Sequence, residues 1–152
     1  MNALKYLLLL VFLISGVHIA TAAINETQAL TFGEFALSNN ASSHQLTISP
    51  LGVVSKDQAV KLIVEPEEAV FDVSGFPGST PLIINVSFNN LTSLDGGSAF
   101  TISNPSIWPA AVTTDPAGNA TFNVGATLRT SGDGGFYPDS NYNGTMTVSV
   151  NF

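Results

Sequence analysis

The sequence contains no cysteine, which removes disulfides, thiolate metal sites, haem attachment, a cysteine nucleophile and a lipid-modified N-terminal cysteine together. Basic residues are nearly as scarce, with 4 Lys and Arg against 11 Asp and Glu and a net charge of -7. A protein that grips a phosphate backbone does so through a basic face, so nucleic acid is not an expected partner. Charged residues of both signs make up only 10% of the chain. That leaves too few histidine, lysine and arginine groups to furnish an acid-base or oxyanion apparatus, and the chain is expected not to be an enzyme. Long amphipathic helical stretches are missing as well.

What is present begins with an export address. Leu7 to Ile14 form an apolar run behind Lys5, and the small residues Ala20-Thr21-Ala22 follow. This reads as a cleavable secretory signal peptide over residues 1–22. Ser15, Gly16 and His18 interrupt the run and leave it short of the roughly 20 residues of a spanning helix, a length no later segment approaches. Residues 23–152 are therefore expected to be one domain, exported to the periplasm, cell surface or extracellular space, with no transmembrane segment in the mature chain.

Within residues 23–152 apolar side chains recur with period two. Leu82, Ile84, Val86 and Phe88 share one face while Asn85, Ser87 and Asn89 share the other, the signature of a half-buried strand. Phe122, Val124, Ala126 and Leu128 repeat the pattern, as do Met146, Val148, Val150 and Phe152. Shorter strands are expected over Leu30 to Phe35, His44 to Ser49, Ala59 to Val64, Ala69 to Ser74 and Ala99 to Ser103. Gly75-Phe76-Pro77-Gly78, Asp95-Gly96-Gly97 and Asp115-Pro116-Ala117-Gly118-Asn119 supply turn chemistry between them. About eight strands with one inward face each predict an all-β fold, an immunoglobulin-like antiparallel β-sandwich.

Four ordered blocks carry a family resemblance: Thr27-Gln28-Ala29-Leu30-Thr31-Phe32-Gly33, Phe71-Asp72-Val73-Ser74-Gly75-Phe76-Pro77-Gly78, Asn123-Val124-Gly125-Ala126-Thr127-Leu128, and Tyr142 through Phe152. Their order and spacing resemble the bacterial domain-of-unknown-function family 4402. The resemblance implies a secreted β-sandwich subunit of fimbrial or spore-coat type, and it brings no catalytic or cofactor residues with it. The chain ends on Phe152 where a terminal tyrosine is common in that family, which keeps the aromatic ring and drops the hydroxyl.

The candidate sites are strand surfaces rather than chemistry. The C-terminal strand, with Met146, Val148, Val150 and Phe152, and the N-terminal run carrying Ala29, Leu30, Phe32 and Phe35 are the expected assembly strands. A strand of this kind either closes its own core or pairs with a neighbouring chain by β-augmentation. The function expected is that of a non-enzymatic structural or adhesive surface subunit, pilin-like, whose partners are further copies or other surface subunits. The alternative is a free secreted module that binds a ligand or carbohydrate, with Trp108 and Tyr137 as the stacking surface. No cofactor is expected apart from calcium, for which Asp133, Asp139 and Asn141 in one Gly-rich loop are the candidate oxygen ligands, without EF-hand spacing. His44 beside Ser42 and Ser43 reads as a surface histidine, and Glu65, Glu67 and Glu68 around Pro66 as solvated turn charges. Asn-x-Ser/Thr sequons begin at Asn25, Asn40, Asn85, Asn90, Asn119 and Asn143.

Overall fold

Residues 21–152 are described in a computed structural model, and most of the expected signal peptide lies outside the described residues. All regular elements among the described residues are strands. They run β1 (Ala23–Gln28), β2 (Glu34–Leu37), β3 (Gln45–Ile48), β4 (Val54–Lys56), β5 (Val60–Val64), β6 (Ala69–Ser74) and β7 (Pro81–Phe88). After these come β8 (Thr92–Ser93), β9 (Thr101–Trp108), β10 (Val112–Thr113), β11 (Ala120–Arg129), β12 (Tyr142–Asn143) and β13 (Met146–Asn151). No helix among the described residues is long and apolar enough to cross a membrane.

The longest strand, β11, is the axis of the fold. Its residues 123–124 pair with both β6 and β9, and residues 127–129 with both β3 and β9. A strand has two edges, so β6 and β3 follow one another along one edge of β11 while β9 takes the other. Outside β6 lies β1, and outside β3 lies β4. A second sheet has β7 between β10 and β13, with β13 in unbroken antiparallel register from Met146↔Phe88 to Asn151↔Ile83. Two small pairs, β2 with β5 and β8 with β12, complete the set.

Period-two alternation turns one face of each of these strands inward, and two clusters of side chains result. Phe71 and Val73 of β6, Phe122 and Val124 of β11, Leu82 of β7 and Val112 of β10 form the first cluster. The sheets thus face each other across it, and Ile84, Val86, Met146, Val148 and Val150 pack on its second-sheet side. Leu46 and Ile48 of β3, Val60 of β5, Ala126 and Leu128 of β11, and Phe32 and Phe100 form the second cluster. One strand therefore serves both clusters, its first half the one and its second half the other. Leu30 and Phe88 pack against both and join them.

The strands legible as alternating apolar runs are present, β6 with the expected bounds and β7, β11 and β13 close to theirs. More strands exist than the sequence announced. The six residues of β1 have a largely exposed burial pattern, so that strand forms by backbone pairing with β6 and leaves no apolar signature. β9 runs on through Pro105, a residue that lacks the ladder donor and is tolerated at an edge where register shifts. The expected strand from Leu30 begins only at Glu34, because Thr31 bridges to Glu67 and Gly33 turns the chain at a positive φ of 68°.

Candidate functional site

A groove of about 1640 Å³ lies between the chain segment 29–37 and the segment 134–148. Pockets built for small molecules run to roughly 300–1,000 Å³, and this one is larger. Its walls include Phe71, Phe100, Ile102 and Leu128, side chains that belong to or pack on the two core clusters. Phe71, Phe100 and Leu128 are buried, so the apolar surface the groove offers comes from half-buried side chains such as Leu91, Ile102, Met146 and Val148. Ile24 and Glu26 of β1 also border it, and Ile24 is 40% exposed.

Strand β13 forms one side of this groove, with Met146 and Val148 in its lining. Asn89 donates its backbone N–H to the Thr145 carbonyl at 3.0 Å, and the register places these two residues opposite each other. Hydrogen-bonded and non-bonded pairs alternate along an antiparallel ladder. Thr147, Ser149 and Asn151 consequently bond to β7, while Met146, Val148 and Val150 turn their N–H and C=O groups away from it. Among the described residues β13 pairs with no second strand, so this row of donors and acceptors is free.

Edges in natural sheets are normally blunted by charge, proline, bulges or brevity. Here β1 carries Glu26 and a register shift, β2 carries Glu34 and a register shift, and β5 carries Lys61. β4 has three residues ending on Lys56, β9 holds Pro105 and Asn104 at φ 52°, and the far edge of β7 begins on Pro81 and pairs with β10 over Pro81 and Leu82. β13, Met-Thr-Val-Ser-Val-Asn, has six residues, no charge, no proline and no register shift.

The N-terminal assembly candidates lie on the opposite wall. Ala29, Leu30, Phe32 and Phe35 all line the groove, but Phe32 is buried and Phe35 meets Phe100 edge-on with centroids 5.6 Å apart. That segment is anchored in its own core. Phe152 is largely exposed, with its ring edge-on to Phe76 at 5.7 Å.

The two aromatic candidates do not converge. Tyr137 lines the groove and stacks on Phe100 at 4.3 Å, whereas Trp108 is 51% exposed at the other end of β9. Of the calcium candidates, Asp133 is engaged within its own loop. Asp133 Oδ1 accepts hydrogen bonds from the Ser131 hydroxyl at 2.6 Å, Gly135 N–H at 2.7 Å and Asn40 Nδ2 at 3.3 Å. The Ser131 hydroxyl and then the Gly135 N–H hold its carboxyl below the ordinary 3.8. Asp139 and Asn141 instead border the groove, and no group of three or more His, Cys, Asp or Glu able to hold a metal is found among the described residues. His44 sits 3.7 Å from Asp57 and 3.1 Å from Asn39 Oδ1, and neither His44 nor Asp57 lines the groove.

Asn40 is a structural residue that the sequence presented only as a sequon. It is 8% exposed, donates to Ser131 Oγ and the Gly135 carbonyl at 3.0 Å, and accepts from Gly132 N–H at 3.0 Å. Its own carbonyl accepts from Gly134 N–H at 2.8 Å. The other sequon asparagines are exposed.

Residues 23–152 match the family described as Domain of unknown function (DUF4402). No curated protein and no solved structure matches the chain.

Proposed function

From the premise that the chain belongs to the DUF4402 family, we propose that it is a secreted, non-enzymatic structural or adhesive surface subunit, pilin-like, that works by pairing strands. The observation that carries this reading is the unblunted edge of β13 beside a groove lined by half-buried apolar side chains such as Leu91, Met146 and Val148. Left alone, such an edge invites uncontrolled aggregation. Filled by an added strand, it gains main-chain hydrogen bonds and covers apolar surface.

The experiment is hydrogen exchange on the protein recovered from the surface of producing cells, compared with refolded monomer. The expected result is high-mass assemblies in which the Met146, Val148 and Val150 amides are protected, against rapid exchange of the same amides in the monomer. Recovery of monomer alone, with those amides equally exposed in both preparations, would sink the reading.

A further inference from the structure

The lining of the groove has a charge pattern that the strand-pairing reading does not use. Among the described residues its charged side chains are Glu26, Glu34 and Asp139, with no lysine, arginine or histidine. The whole chain adds to this field with its net charge of -7. A carboxylate carried into an apolar groove already flanked by carboxylates loses hydration and meets like charge. An incoming strand is therefore screened by sign as well as by shape.

The floor sets the shape. Half-buried Leu30, Phe88 and Leu91 line the space together with Met146 and Val148, and a strand bonded to the free groups of Met146, Val148 and Val150 sends every second side chain toward them. Those alternate positions call for apolar residues, and the positions between them face solvent.

We propose that the groove accepts a single extended segment of another kind of polypeptide, with apolar side chains at alternate positions, no carboxylate, and neutral or basic flanks. The chain's own N-terminal strand does not meet this description. β1 carries Glu26 two residues after Ile24, on the face that borders the groove, so a second copy offering β1 would bring a fourth carboxylate to the three present. The inference rests on the strand-pairing reading above and adds the chemistry of the partner.

The test uses residues 23–152 as the folded protein and two synthetic peptides with the same Val/Thr alternating centre, one flanked by lysines and one by glutamates. Binding is read by calorimetry and by amide exchange at Met146, Val148 and Val150. The expected result is protection of those three amides by the lysine-flanked peptide, and binding at least tenfold tighter than that of the glutamate-flanked peptide. The preference should shrink in high salt and in the exposed-rim variant E26Q/E34Q/D139N. Equal affinities with the amides protected would overturn the charge selection and leave strand pairing standing. Absence of protection by either peptide would overturn both. Self-association that depends on residues 23–28 and outcompetes the lysine-flanked peptide would overturn the assignment to a different polypeptide while supporting strand pairing.

Discussion

Tyr137 lays its ring on that of Phe100, with centroids 4.3 Å and planes 23° apart, and its hydroxyl sits between two backbone groups. That oxygen accepts the Ser131 N–H at 2.8 Å and donates to the Ala99 carbonyl at 3.2 Å. The residue thus ties the loop after β11 to the start of β9. Tyr137→Phe keeps the stack and orphans the loop, an expected cost of about 1–2 kcal/mol. Tyr137→Ala also opens the second cluster, for a loss of about 3–5 kcal/mol. Urea unfolding of the two variants checks both the order and the gap.

Asn40 holds the loop 131–135 from the other side through its side-chain amide and its carbonyl. Asn40→Ala leaves the Gly132 N–H without that acceptor and should destabilise the protein by about 1–3 kcal/mol. Amides of the loop should then exchange faster than those of β11. If the protein is produced in a glycosylating host, the exposed sequons are modified and the Asn40 sequon is not, which peptide mass mapping reads directly.

Gly118 closes the turn between β10 and β11 at φ 85°, and a Cβ placed there would overlap the Phe76 carbonyl oxygen. Gly118→Ala combines backbone strain with that clash and should cost about 1–3 kcal/mol. The melting temperature should fall, and the control Gly134→Ala, also at positive φ but with nothing within 4 Å of its Cβ, should lose less.

Acid should weaken the fold through two turn carboxylates. The Asn119 N–H, followed by those of Ala117 and Gly118, holds Asp115 below the usual 3.8 against a smaller opposing effect of burial, and Ser131 and Gly135 do the same for Asp133. A carboxyl whose folded pKa is depressed supports the fold fully above its unfolded value and loses that support as pH falls through the folded value. The melting temperature should be flat down to about pH 5 and drop below about pH 4. The D115N/D133N variant, which keeps turn-forming side chains, should show a shallower drop.

How far the sequence reached depended on what each element asks of it. β6, β7, β11 and β13 bury one face, and burial of alternate residues leaves a period-two record along the chain. β1 buries almost nothing and left no such record. Asp133 reads in sequence as an oxygen ligand, and in the fold its Oδ1 accepts hydrogen bonds from Ser131, Gly135 and Asn40. Asn40 lies more than ninety residues from that loop, and no local pattern announces so distant a contact.

The sequence by itself determined the all-β class, the inward face of each principal strand and the scarcity of basic and sulfur chemistry, because these follow from composition and from the alternation of side chains on extended backbone. Only the tertiary structure decided which edge stays open. Alternation says which way Met146, Val148 and Val150 point, but not whether a strand lies beside them. That depends on β7 taking one edge of β13 and on segment 29–37 standing across a groove from the other. Strand neighbours are chosen by long-range hydrogen bonding and packing, and neither is written in the local order of residues.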